Sequence, residues 1–298
     1  MVEAAQVSLT AERRAVEGAL VRLCDSELGY LPAPVAAAIR YTLLGEGKRL
    51  RPILTLCSHA AAGGVADASD LAAAVEVVHA YSLVHDDLPC MDDDEFRRGR
   101  PTLHRVYGVG VAAAAGVAMV PLAALATWSA GRALDLEPEE TAALVRELMI
   151  ASGASGMIGG QLHDLEAEGR ALRLHELEQV HRMKTGALIV ASVRLGGLAA
   201  RAGRGAMEAL DRYAGAVGLA FQIADDVLDV TATSDQLGKT AGRDAELNKS
   251  TYPALLGVEG ARKRAGQLVE EGCSALASEG LLTPELEYLA RFVIARQS

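Results

Sequence analysis

The sequence predicts an all-α fold, and three observations carry that prediction. Half of the 298 residues are hydrophobic but only 4% are aromatic, so alanine and leucine fill the apolar positions, which favours helix over strand. Apolar residues recur at helical spacing nearly throughout, without the sustained alternation that a half-buried strand needs. No low-complexity linker divides the chain. A chain of this length can bury a sizeable core. The expected architecture is one domain over residues 1–298, a helical bundle with its site built in the core from facing helices.

The elements follow in order. A first amphipathic helix covers 10–27, with Thr10 as N-cap, and Gly29-Tyr30-Leu31-Pro32 breaks it. A second covers 34–44 and stops at Gly45-Glu46-Gly47. Lys48-Arg49-Leu50-Arg51-Pro52 opens a third, which ends at Gly63-Gly64. The fourth, 67–87, leads into an acidic cluster. Residues 109–131 carry no charge and are long enough to span a membrane. They are mostly Ala, Gly and Val, however, with Pro121 inside, so a buried core helix is expected and no membrane span. Helices over 139–153, 156–168, 175–183, 185–200 and 206–230 follow. A polar loop over 231–250 and helices over 252–278 and 284–296 complete the chain.

Composition narrows the function. The net charge of −10 speaks against a nucleic-acid partner, which calls for a basic surface. It does not exclude an anionic substrate, because binding depends on local fields. The four cysteines, Cys24, Cys57, Cys90 and Cys273, are scattered without a CxxC pair, which suits a reducing cytoplasm. The N-terminal segment has no apolar signal core.

Two acidic clusters carry the chemistry. Asp86, Asp87, Asp92, Asp93 and Asp94 lie within nine positions, directly after an apolar helical run. Carboxylates this close repel, so a cation is expected among them, and hard oxygen ligands suit Mg²⁺ shared with a phosphate. Alone, such a cluster is equally a solvated acidic loop. The second cluster is simpler: Asp225 and Asp229 are four apart on one helical face, and Gln222 falls on the same stripe. Asp86 and Asp92 are six apart, which on an unbroken helix sets them about 120° out of register. Pro89 favours a bulge or break that returns Asp92 to the side of Asp86. Two basic clusters complement them: Lys48, Arg49 and Arg51 at a helix start, and Arg97, Arg98 and Arg100 after the aspartates. Each cluster taken separately also reads as surface charge. Lys184-Thr185-Gly186 and Lys239 add phosphate-compatible groups. His79 lies seven before Asp86 on nearly the same face; as a lone histidine it also reads as structural.

Several strings together make a specific constellation: GKRLRP (47–52), HAYSLVHDDLPCMDDDEFRRGRPTLH (79–104), MIGGQLHDLEAEG (157–169), HRMKTGAL (181–188), GLAFQIADDVLD (218–229) and LNKSTYPALLG (247–257). In these strings the sequence resembles the trans-isoprenyl diphosphate synthases (polyprenyl synthetases), and within them the bacterial farnesyl diphosphate synthase type. The resemblance implies a helical bundle of the isoprenoid synthase type with a central cavity. It implies a Mg²⁺-dependent, head-to-tail condensation of isopentenyl diphosphate with an allylic diphosphate, dimethylallyl or geranyl, to give farnesyl diphosphate. Three Mg²⁺ ions are expected with substrate bound, together with a cytoplasmic homodimer.

The resemblance also assigns residues. Asp86, Asp92, Asp225 and Asp229 are the implied metal ligands, with Asp87 in support. Arg97, Lys184, Thr185, Gln222 and Lys239 are implied contacts of the allylic substrate. Lys48, Arg51, His79 and Arg98 are implied to hold isopentenyl diphosphate, and Lys249 to support the site. The proton acceptor is implied to be the released pyrophosphate. Asp93 and Asp94 read as peripheral. Bulk just before the first motif sets chain length in this family, so Tyr81 and Ser82 are the candidate rulers; a large Tyr81 implies a C15 product. The wheel places Ser82 nearer Asp86 than Tyr81, and geranylgeranyl diphosphate is the alternative. Where the family has a Gly-Asp pair this chain has Gly116-Val117, which is expected to remove a buried carboxylate near the site. Two rivals of other classes are a terpene cyclase and a non-catalytic partner subunit. The retained basic strings oppose the first, and the two intact aspartate motifs oppose the second.

Overall fold

The computed structural model describes residues 2–167, 169–231 and 249–296, with side chains from residue 9 onward. Its elements are α1 (Val2–Glu27), α2 (Ala33–Leu43), α3 (Leu50–Ala61), α4 (Ser69–Asp86), α5 (Leu103–Tyr107), α6 (Val109–Ala133), α7 (Pro138–Ser152), α8 (Met157–Glu166), α9 (Leu174–His181), α10 (Ala187–Ala199), α11 (Arg204–Thr231), α12 (Tyr252–Ser278) and α13 (Pro284–Ala295). The helical expectation holds, with one correction and two additions: α1 begins at Val2, so Thr10 lies within the helix and does not cap it. A short α5 was not expected. Neither was a two-stranded hairpin, β1 (Phe96–Arg97) with β2 (Arg100–Pro101). The hairpin is too short to show alternation. Its turn is Arg98-Gly99, both with positive φ (54° and 73°), and it turns the chain back within the arginine run.

Two hydrophobic clusters form the core. One gathers residues of α1, α2, α4, α6 and α7; the other gathers α3, α10, α11, α12 and α13. The central helix is α4: Leu71 to Val78 are all buried, Glu76 included. The expectation that residues 109–131 form the all-round buried helix is thus corrected. One face of α6 packs against α2, α4, α5 and α7, and the other carries exposed Val117, Pro121, Leu125 and Trp128. These recur every three or four residues, a single stripe along the helix. An uncharged helix is apolar on every side, so its periodicity cannot say which side the fold covers. Among the described residues α6 is the one helix long and apolar enough to cross a membrane.

The helices expected over 175–183 and 185–200 are also differently joined. A π turn, Arg182–Gly186, links α9 to α10 without a break. It sits where α8 crosses: a Cβ on Gly160 would overlap the backbone of Lys184, so only glycine permits the approach. The widened turn carries Lys184 and Thr185 into the cavity below.

Candidate active site

Helix α4 delivers the first aspartates and then stops. Asp87 N still bonds Leu83 O (3.1 Å), but Met91 N and Asp93 N both turn back to Leu88 O (2.9 and 3.1 Å). Asp92 N reaches Asp86 O at 2.8 Å. The bulge expected at Pro89 is therefore present, and Asp86 and Asp92 line one polar cavity of about 360 Å³. Helix α11 supplies Gln222, Asp225, Asp226 and Asp229 to the same cavity. Arg51, His79, Arg97, Lys184, Thr185 and Lys249 line it too. The sequence candidates are thus largely brought together. Lys239 lies outside the described residues.

Lys48 does not line this cavity. It borders a separate pocket of about 210 Å³ with Tyr288 and Phe292. Burial, then the positive charge of Arg296, lowers its pKa, so it is within electrostatic reach of the site's edge. Asp94 is not peripheral: it lines the polar cavity and pairs with Arg97 Nη2 at 2.8 Å. The same arginine binds Asp87, with Nε at 2.9 Å from Oδ1. Arg97 is thereby locked beside the aspartates by two carboxylates.

Electrostatics divides the carboxylates. Burial pushes the Asp86 carboxyl up to about 6; Lys184 opposes the rise and Asp92 adds to it. Asp87 is also raised by burial, against Arg97. Asp164 behaves oppositely: burial would raise it, but Lys184 and Lys249 outweigh burial and hold it near 2. Its Oδ2 accepts from Lys184 Nζ at 2.6 Å and from Lys249 Nζ at 2.9 Å. Asp164 was not singled out from the sequence. Its only local sign is the i,i+3 spacing from Gln161 on a short helix.

The basic side is organised by His79. Burial, reinforced by Arg51 and Arg98, drives its pKa well below the usual value, so the ring is neutral. Its Nε2 lies 3.3 Å from Arg51 Nη1 and 3.2 Å from Arg98 Nη2. Arginine can only donate, so Nε2 accepts from both and Nδ1 carries the proton. Burial lowers Arg51 to about 10, still charged at neutral pH. Arg49, by contrast, is structural. It is buried against Glu76 (Nη1–Oε1 2.7 Å) and donates to the carbonyls of Leu43 and Gly45.

At the second aspartates, Gln222 Nε2 donates to Asp225 Oδ2 at 3.0 Å. Arg296 donates to Asp225 Oδ1 at 2.6 Å and lies 3.8 Å over the Phe221 ring. Asp226 faces inward: its Oδ2 accepts from Tyr252 N at 2.9 Å and lies 3.2 Å from His181 Nε2. It fixes the start of α12 beneath the site. Arg296, Asp226 and His181 were missed because their partners lie far away in sequence.

A second cavity, about 480 Å³, adjoins the first and shares Arg51, His79, Leu83, Asp86, Lys184 and Thr185 with it. Its remaining lining is largely hydrocarbon: Met91, Met157, Ile158, Leu162 and Leu165. Tyr81 and Ser82 both line it, so the structure brings both candidate rulers to the cavity wall. Val117 does not reach either cavity. It is 65% exposed on the outer stripe of α6, so the expectation of a lost buried carboxylate near the site is corrected.

The residues fit Mg²⁺. Every candidate ligand is a carboxylate oxygen, and the two acidic groups share one cavity with cationic side chains. No three acidic, His or Cys side chains among the described residues close on one point by themselves.

The chain matches the polyprenyl synthetase family model over residues 32–278. It is 47% identical to the farnesyl diphosphate synthase of Escherichia coli, over 90% of this chain and 91% of that protein. It is 39% identical to the farnesyl diphosphate synthase of Geobacillus stearothermophilus, over 97% and 96%. Its structure superposes, with a TM-score of 0.81, 31% identity and 96% of both chains covered, on a Helicobacter pylori geranyltransferase complexed with magnesium and isoprenyl diphosphate.

Proposed function

The chain belongs to the polyprenyl synthetase family, and we propose that it condenses isopentenyl diphosphate head-to-tail with dimethylallyl or geranyl diphosphate to give (E,E)-farnesyl diphosphate. It is a prenyltransferase. One observation carries the reading: a polar cavity lined by two aspartate groups opens onto an apolar cavity walled by Tyr81. The first suits a diphosphate, the second a hydrocarbon tail, and the junction is where the reacting carbon would sit.

Asp86 and Asp92 on one side, with Asp225 and Asp229 on the other, would hold Mg²⁺, three ions with substrate bound. Bound Mg²⁺ supplies charge stabilisation for the departing diphosphate. Lys184, fixed by Asp164, and Arg97, fixed by Asp87 and Asp94, place positive charge beside the allylic diphosphate. Arg51 and Arg98, set by neutral His79, would take isopentenyl diphosphate, with Lys48 at the outer edge. Thr185, Gln222 and Lys249 line the same space and support the allylic substrate. The allylic C1–O bond breaks with its electrons going to the diphosphate. The isopentenyl double bond then forms the new C–C bond, and the released pyrophosphate takes the proton. The apolar walls keep water from the cation.

Geranylgeranyl diphosphate is the less favoured product, because three bacterial relatives, at 47%, 41% and 39% identity, are farnesyl diphosphate synthases. A cyclase would have no use for the second basic group at Arg51, His79 and Arg98. The test is incubation with Mg²⁺, labelled isopentenyl diphosphate and each allylic primer, followed by product identification. No incorporation with any primer sinks the reading, and a C20 product overturns the chain length.

We read the whole chain as one polyprenyl synthetase domain in a cytoplasmic homodimer. The exposed α6 stripe, with Val117 65% and Leu125 60% exposed, supports pairing over membrane insertion, since its opposite face is already committed to the core. Light scattering should give twice the chain mass, and Leu125→Glu should halve it. A wild-type monomer would refute the pairing.

A further inference from the structure

Arg296 follows directly on α13 and turns back onto the second aspartate group. Its Nε donates to Val293 O at 3.1 Å, and its Nη2 donates to Phe221 O at 3.0 Å and to Asp225 Oδ1 at 2.6 Å. The guanidinium lies 3.8 Å over the Phe221 ring, and the side chain is only 7% exposed. The other oxygen of Asp225 accepts from Gln222 Nε2 at 3.0 Å. Both oxygens of an implied metal ligand are thus engaged, one of them by a full positive charge. Arg97 differs: it pairs with Asp87 and Asp94, which flank the implied ligands Asp86 and Asp92.

The pair sits among other charges. Arg51 approaches the same Phe221 ring at 6.0 Å. Burial and then the Arg296 charge lower the Lys48 pKa, and Asp225 opposes them. Asp225 is therefore the anion that Arg296 shares with its cationic neighbours. A dication on Asp225 would share one carboxylate with the guanidinium, and positive charges that close repel strongly away from bulk water. The two cations are alternatives. We propose that Arg296 is an internal counter-ion: it occupies Asp225 in the metal-free enzyme, gives it up when Mg²⁺ binds, and so raises the Mg²⁺ concentration at which the site fills.

The geometry permits the exchange. Asp225 is 43% exposed, so an ion reaches it from the cavity. Arg296 stands beyond the last residue of α13, and its backbone N–H stays on Phe292 O at 3.1 Å, so the guanidinium leaves by side-chain rotation without unwinding the helix. The pair also offsets the repulsion among Asp225, Asp226 and Asp229, which share one cavity. A contact made only in the metal-free form stabilises that form, and metal affinity falls by the same free energy.

This inference rests on the Mg²⁺ part of the prenyl-transfer reading. Its test is thermal unfolding across a Mg²⁺ titration at fixed inorganic pyrophosphate, for wild type, Arg296→Gln and Arg296→Lys, with the Mg²⁺ dissociation constant taken from the rise in Tm. Arg296→Gln should have the lower Tm without metal, a Tm that converges on wild type at saturating Mg²⁺, and a dissociation constant about 3- to 10-fold lower. Arg296→Lys keeps the charge, so its constant should stay within about twofold of wild type. An unchanged or weaker Mg²⁺ affinity in Arg296→Gln overturns the proposal, and so does a lysine variant that gains as much as the glutamine one. If Arg296→Gln is unfolded without metal, Mg²⁺ with pyrophosphate should restore it; a chain that stays unfolded shows a structural residue and overturns the proposal. A wild type whose Tm ignores Mg²⁺ overturns the metal reading together with this one, whereas a wild type that responds to Mg²⁺ but transfers no isopentenyl unit overturns prenyl transfer alone.

Discussion

The backbone amide of Asp92 donates to the carbonyl of Asp86 at 2.8 Å, across a six-residue reach that an α-helix does not make. This bond closes Leu88–Met91 into a loop, with Leu88 still buried in the core, and returns the third aspartate to the level of the first. Both carboxylates then line one cavity, with Lys184 beside them. Burial is the main reason that Asp86 titrates high, and the nearby Asp92 adds to it.

That shift has a sign. The Asp86 carboxyl is raised from 3.8 in the unfolded chain to about 6 in the fold, chiefly by burial, so the fold holds its proton more tightly. The ionised form therefore lowers stability, by an amount that grows from pH near 4 and is complete above about 6. Asp86→Asn should raise Tm of the metal-free protein at pH 7.5 and lose that advantage by about pH 4. Turnover should fall by orders of magnitude. A Tm difference that does not change with pH would contradict the shift.

Asp164 works in the opposite direction. Its carboxyl is held near 2 by Lys184 and Lys249 against burial, so it contributes about 2 kcal/mol that is present above pH 4 and lost as pH falls towards 2. Asp164→Asn should lower stability at pH 7 by roughly that amount and raise KM for the allylic diphosphate, because Lys184 loses its anchor. Urea titration with steady-state kinetics checks both, and an unchanged KM would separate Lys184 from the allylic substrate.

The Arg49–Glu76 pair is buried, with side chains 3% and 1% exposed. Removing one partner strands the other, at a cost of about 3–5 kcal/mol. Arg49→Met should therefore destabilise strongly, while the double replacement Arg49→Met/Glu76→Leu should recover most of the loss. Denaturant midpoints for the two variants decide this; a double variant as unstable as the single one would be contrary to the expectation.

Chain length should depend on Tyr81 and on what supports it. The His85 ring meets Tyr81 edge-on at 5.4 Å and is set by Nε2 at 3.2 Å from Ala113 O, while a Cβ on Gly116 would overlap that ring. Tyr81→Ala should lengthen the product towards C20. Gly116→Ala should displace His85, lower stability by about 1–3 kcal/mol and broaden the product mixture. Chromatography of the dephosphorylated products reads both outcomes, and a purely C15 pattern from Tyr81→Ala would remove its role as ruler.

Much of the site was legible because its chemistry is local. Asp225 and Asp229 at i,i+4, the break at Pro89, and basic clusters at a helix start and after the aspartates all lie within a few residues of one another. Asp164, Arg296 and Asp226 were not legible. Each is one polar residue on a helix face, and its meaning comes from partners about 20 to 70 positions away.

By itself the sequence determined the all-α class, nearly every helix, and most of the charged residues that line the polar cavity. Tertiary structure alone decided that α4 rather than α6 is the central helix, that Arg49 turns to Glu76 and away from substrate, that a π turn presents Lys184, and that Val117 faces outward. The physical reason is the same in each case. Periodicity and residue type state which groups a helix offers and on which side, but burial, ion pairing and pKa depend on what the fold brings against that side.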